Sequence, residues 1–172
     1  SLHDALPIFG PYPYTEMDLV QTRLGDQAAG VEFPGLMYIG AIHYDPSSDY
    51  LEFTVVHEIA HQWWGNMLQP GYGPGANLLS EGMSHFSTML LVEQVKGFRS
   101  GLELRKGFEA RWADGRRADA ERKLYLIDGS KDGDGVVTYE KAGWTFWMLA
   151  DRIGRENATR GMKDFIAKFH GS

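Results

Sequence analysis

Apolar residues recur along this chain in two rhythms. MDLVQTRL (17–24) and LMYIGAI (36–42) are short apolar segments divided by a glycine-bearing stretch, and they predict strands. Beyond residue 48 the period lengthens. Phe53, Val55, Val56, Ile59 and Ala60 make an apolar run free of Gly and Pro, and Leu79, Met83, Phe86 and Leu90 form a stripe at helical spacing. Helices are predicted over residues 48–66, 79–97, 101–117, 139–153 and 156–169. Gly65 stands where the first could end, and QPGYGPGAN (69–77) can reverse the chain before the second. Strands followed by helices describe a helix-rich α+β domain with a short N-terminal β region.

Composition narrows the class. The chain has 172 residues, 43% of them hydrophobic, enough for one domain with a real core. Its 17 basic and 23 acidic residues give a formal charge of −6, and the basic residues form no sustained face, which argues against nucleic acid as a partner. Zero cysteines exclude disulfides and thiolate metal sites. No apolar run approaches the ~20 residues that span a bilayer, and no charged-then-apolar leader pattern is expected.

The segment HEIAHQWWG (57–65) carries the candidate chemistry. Two histidines four apart lie about 40° from each other around a helix, so His57 and His61 can face one ion. Glu58 projects beside that ion, where it can take a proton from a bound water. Catalytic zinc keeps three protein ligands and an open position. LLSEGMSHF (78–86) offers Glu81 in the first turn of the second helix, and the loop between the helices lets His57, His61 and Glu81 converge on a single zinc ion.

With these pieces in order, the sequence resembles the aminopeptidase N family of gluzincin zinc peptidases. The matching segments are FGPYPYTEMDLVQT, GVEFPGLM, HEIAHQWWGN, LLSEG and YEKAG. The resemblance implies a thermolysin-like catalytic domain over residues 9–172, with 1–8 as a possible non-native leader and neighbouring domains in a longer parent protein. The family's interval between the second histidine and the glutamate is one residue shorter than the 19 residues (62–80) present here, which puts Ser80 at the usual position. Glu81 is kept as the ligand because it carries the LxEG context, with the extra residue assigned to the Gly/Pro loop. The tyrosine of the family's YEKGA motif corresponds to Tyr139, with the last two residues exchanged, and implies a phenol that stabilises the oxyanion. Thr138 is the expected N-cap of that helix. The family's GxMEN segment reads GVEF here, implying that Gly30, Val31 and Glu32 bind substrate, with Glu32 receiving the free ammonium of a peptide. An edge around 28–31 could add the peptide as a strand.

The expectation is a zinc metallopeptidase of the aminopeptidase type acting on peptides. The alternatives are a peptidase-like binding module without turnover, or an endopeptidase of the same chemistry if Glu32 faces away from the metal. Other positions carry less. DGSKDGDG (128–135) alternates oxygen donors like a calcium loop, but Tyr139 replaces the bidentate glutamate such loops need, so a turn is expected and calcium is not. His85 reads as a packing histidine or one that supports the metal ligands. Glu93 or Asp151 is expected to orient the histidines. Trp63 and Trp64 read as core, and His3, His43 and His170 have no partner pattern.

Overall fold

Three strands open the fold. A computed structural model of the chain describes residues 8–24, 29–45, 47–117 and 121–170. Strand β1 covers Asp18–Thr22, β2 Gly30–Phe33 and β3 Leu36–Gly40, in the order β1–β3–β2. β3 runs parallel to β1 and antiparallel to β2. The stretch between the two expected strands therefore holds a third one. Pro34 and Gly35 make this possible, because the turn needs a positive φ at its second central residue and Gly35 adopts +72°. β2 is an edge strand, with one side of its backbone unpaired within the sheet.

Five helices follow: α1 (Asp49–Ala60), α2 (Met83–Lys96), α3 (Phe98–Gly115), α4 (Ala142–Ile153) and α5 (Arg155–Phe169). Ser48 caps α1 by accepting the Tyr50 N–H, and Asp49 and Glu52 complement its N-terminal dipole. The helix stops at Ala60 and not near residue 66, as the sequence suggested. His61 is its cap, and the Trp64 carbonyl turns back to the His61 ring at 2.8 Å instead of serving the helix ladder. QWWG is thus a set of tight turns that packs both indoles. Trp63 and Trp64 are buried as expected. The Trp63 indole N–H donates to the Pro11 carbonyl and that of Trp64 to the Ser87 hydroxyl.

Two wide π turns interrupt the helical pattern. Leu78–Gly82 leads into α2, and Val137–Lys141 leads into α4 after a short turn at Asp134–Val136. The helical run that ends at Ile153 thus starts earlier than expected, behind Gly133 at φ +88°. Thr138 is no N-cap: it lies buried inside the second π turn. The two turns press together, since a Cβ on Gly82 would come within 2.7 Å of the Ala142 Cβ. π turns add a residue to a helical turn and recur at functional sites, and the first of these holds Glu81, where the 19-residue interval, one residue longer than the family's, ends.

The core lies between the sheet and α1, α2, α4 and α5, around Phe9, Met37, Trp63, Trp64, Phe86, Met89 and Trp147. Ile8 is buried in it, whereas residues 1–7 of the expected leader, and His3 with them, lie outside the described residues. Gln62 joins the sheet to the end of α1. Its fully buried amide accepts the Gly35 N–H at 2.9 Å and donates to the Phe33 carbonyl at 3.1 Å, fastening the β2–β3 turn to the end of α1. Gln62→Leu leaves both backbone groups without that partner and should destabilise the metal-free chain by about 1–3 kcal/mol, measured by urea unfolding; an unchanged midpoint would show the clamp to be idle.

Candidate metal centre

Helix α1 and the π turn before α2 bring His57, His61 and Glu81 together. The His57 and His61 Nε2 atoms are 3.0 Å apart, and each is 3.1 Å from the Glu81 Oε2. The i, i+4 spacing puts both rings on one face, while the wide turn swings the Glu81 carboxylate between them. Ser80, at the family's usual interval, lies 3.4 Å from the outer nitrogen of His61 and faces away from the cluster. The donor set suits zinc. Two imidazole nitrogens and one carboxylate oxygen form a triangle whose sides fall a few tenths of an ångström inside the edge of a tetrahedral zinc set with bonds of about 2.0–2.2 Å.

Both outer nitrogens have partners. His61 Nδ1 meets the Trp64 carbonyl at 2.8 Å, and His57 Nδ1 meets His85 Nδ1 at 3.2 Å. Neither expected carboxylate fills this role. Glu93 lies two turns beyond His85 and pairs with Arg105 at 2.6 Å, while Asp151 is exposed on α4. The groups that meet the outer nitrogens are a backbone carbonyl and a third histidine.

Glu58 and Glu32 lie on the other side of the cluster. Glu32 Oε1 is 3.7 Å from His61 Nδ1, and its carboxylate lies within 4.8 Å of that of Glu58. β2 passes directly over the Glu58 side chain: a Cβ on Gly30 would lie 2.5 Å from Glu58 Oε1. Gly65, at φ +120°, allows a similar approach, its Cβ position lying 3.3 Å from His61 Nδ1. Val31 is half-buried on the same strand, and Ala28 of the expected edge lies outside the described residues. Tyr139 faces the same cavity as Glu81, and its ring lies 6.0 Å from that of His57. Gly30, Glu32, His57, Glu58, His61, Glu81 and Tyr139 thus line one cavity of about 490 Å³.

Burial sets the charges. Desolvation lifts Glu58 from an ordinary 4.5 to about 8, opposed by His61 and reinforced by the neighbouring Glu32 and Glu81. Burial also works against the charged form of His61, but Glu81, Glu32 and Glu58 outweigh it and hold that ring up at about 9. His57, with the same carboxylate at the same distance, is instead lowered, since burial and the His61 charge outweigh Glu81. In the metal-free cluster one imidazolium therefore sits beside a carboxylate. Burial opposes the charge of Glu81 as well, but hydrogen bonds from both histidines keep it well below the usual carboxylate range. Desolvation and the nearby Glu81 push Tyr139 far up, so it remains a phenol donor.

The calcium-like loop is held by arginines. Arg122 donates to Asp134 at 2.8 and 2.6 Å and to Asp128 at 3.2 Å, and Arg117 pairs with Asp132 at 3.2 Å. Each of the three aspartates of the loop thus has an arginine partner.

A short sheet beside an HExxH helix, with a glutamate from the next helix closing the cluster, is the arrangement of a zinc metallopeptidase. The chain belongs to peptidase family M1, whose domain model matches residues 7–172. It is 27% identical over 175 residues to Aminopeptidase M1-B of Oryza sativa subsp. japonica and 25% identical to Aminopeptidase M1-C of the same plant. Each alignment covers 92% of this chain and 19% of the relative, so the chain spans about a fifth of their length. In fold it is similar to leukotriene A4 hydrolase of Saccharomyces cerevisiae (TM-score 0.83, 18% identity, 98% of this chain and 28% of that one). It is also similar to an M1 zinc metallopeptidase of Deinococcus radiodurans (TM-score 0.72, 22% identity, 99% of this chain and 36% of that one). No helix among the described residues is long and apolar enough to cross a membrane.

Glu58 generates a pH-dependent stability difference with a defined sign. The unfolded carboxyl ionises near pH 4.5, whereas the folded one resists until about 8. The resulting penalty is absent below pH 4.5, grows between the two values and is constant above. Metal-free Glu58→Gln should therefore be more stable than the unsubstituted chain by about 2–4 kcal/mol at pH 8, with no advantage at pH 4. Urea unfolding in the presence of a chelator reads the difference, and parallel pH profiles would contradict it.

Proposed function

We propose that this chain is the zinc-dependent catalytic part of an aminopeptidase, with His57, His61 and Glu81 as the ligands of one ion. The reading rests above all on Glu32, whose carboxylate lies within 4.8 Å of that of Glu58 and lines the same cavity beside the base. A carboxylate there can receive the ammonium of a peptide whose first peptide bond lies over the metal cluster. An endopeptidase would need that end of the cleft open for the preceding residues.

Bound at the cluster, zinc supplies Lewis acidity to a water and to the scissile carbonyl. The chain's own groups perform the rest. Glu58, buried beside the cluster, takes a proton from the attacking water as a carboxylate and delivers it to the leaving amine. The Tyr139 hydroxyl donates to the carbonyl oxygen as charge develops there. The open edge of β2 pairs with the peptide backbone as an added strand, so that Gly30 and Val31 fix the substrate while Glu32 reads its terminus. The remaining domains of a longer parent would complete the cleft walls.

Glu32→Ala should lower kcat/KM on free-amine substrates about 10- to 100-fold, the value of one charge-assisted hydrogen bond, and barely change hydrolysis of amino-blocked ones. Equal cleavage of both classes, unaltered by the substitution, would favour the endopeptidase. A second outcome follows from Gly30. The added methyl of Gly30→Ala meets the movable end of Glu58, so fold and zinc content should survive while kcat falls about 100-fold through displacement of the base. Full turnover in that variant, with zinc retained, would remove Glu58 from the assigned role.

A further inference from the structure

His57 needs an acceptor for its outer nitrogen, and the group that meets it is unusual. Metal-bound histidines donate their second N–H to a carboxylate, a backbone carbonyl or water. Here His57 Nδ1 faces His85 Nδ1 at 3.2 Å, with the two rings nearly perpendicular at 83°. We propose that His85 is a positioning residue of the metal centre, a neutral imidazole that accepts the Nδ1–H of His57 and so fixes the ring that offers Nε2 to zinc. The inference rests on the zinc reading above.

Proton counting leaves one arrangement. Two ring nitrogens hydrogen-bond only when one carries hydrogen and the other a lone pair. His57 needs its Nε2 lone pair for the metal, so its hydrogen is on Nδ1. His85 must then accept at Nδ1 and carry its own hydrogen on Nε2. That Nε2 is buried with no hydrogen-bond partner among the described residues. The ring is 4% exposed and is held by Phe53 at 5.3 Å, Phe108 at 4.6 Å and Tyr139 at 5.2 Å. Orphaned buried donors are costly. A histidine kept in such a place for packing alone would be poorly chosen, since phenylalanine would fill the same aromatic pocket without the orphan.

An independent observation concerns the exchanged motif. Gly143 of YEKAG lies against His85: a Cβ there would stand 2.9 Å from the His85 Cβ and 3.3 Å from the Met89 Cε. Neither the His85 Cβ nor the helix that carries it can move aside cheaply. The order YEKGA of the resembling family would put that Cβ in place. The exchange puts glycine where α4 lies against α2 at His85, while Ala142 packs against Gly82.

The test measures zinc dissociation constants of the 172-residue chain against a chromophoric chelator at fixed pH, beside the thermal unfolding of each metal-free form. His85→Phe fills the pocket and removes the acceptor, and its affinity should fall about 10- to 100-fold. His85→Asn offers Oδ1 near the place of Nδ1 and should restore most of that affinity, whichever variant is the more stable without metal. The visible spectrum of the cobalt-loaded chain should change with Phe and return with Asn. Unchanged zinc affinity in His85→Phe, or equal losses in both variants, would overturn the inference and leave His85 a packing residue. Failure of the unsubstituted chain to take up zinc would overturn the proposed function and this inference together.

Discussion

Three polar atoms 3.0–3.1 Å apart in an almost dry wall cost folding free energy before they do anything useful. His57, His61 and Glu81 are such a set, and most of the fold arranges their convergence. Helix α1 aligns the two rings, the chain reverses, and a π turn returns the carboxylate. The cluster carries an imidazolium beside a carboxylate without metal, a pairing that zinc replaces by releasing protons. Metal binding and folding draw on the same contacts. The outer nitrogens are served by the Trp64 carbonyl and His85, so the packing of the QWWG turns and of α2 determines how well the ring nitrogens point.

The other wall works by closeness of backbone. Gly30 allows β2 to lie on the Glu58 carboxyl, and Gln62 ties the following turn to α1. Desolvation from this wall gives Glu58 its high proton affinity. The same desolvation is a stability cost, so the features that make Glu58 a useful base also make the metal-free protein less stable at neutral pH. Glu32 adds a second carboxyl and raises Glu58 further.

Both π turns lie at this centre, and each delivers one functional side chain, Glu81 or Tyr139. They pack on each other through Gly82 and Ala142, so the position of the phenol depends on the turn that holds the carboxylate. A regular α-helical turn would rotate either side chain to a different bearing.

Much of this was legible in local pattern. Spacing four residues apart placed His57 and His61 on one helix face, the apolar periods located the five helices, and the LxEG context picked out Glu81 over Ser80. Such signals are local because helix geometry is local. The strand β2 escaped detection because four residues around a Pro-Gly turn are too short to show a period. The end of α1 at Ala60 escaped because the Trp64 carbonyl is claimed by a side chain. Gln62 gave only the signal of a polar residue between apolar ones, and its buried role depends on a turn 27 residues away. Glu93 and Asp151 were plausible carboxylates by composition, yet only the packing of α2 against α3 and α4 sets His85 beside the His57 ring. The sequence by itself determined which residues could bind and transfer protons. The tertiary structure decided what surrounds them, because burial, charge and hydrogen-bond partners at this centre come from segments distant in the chain.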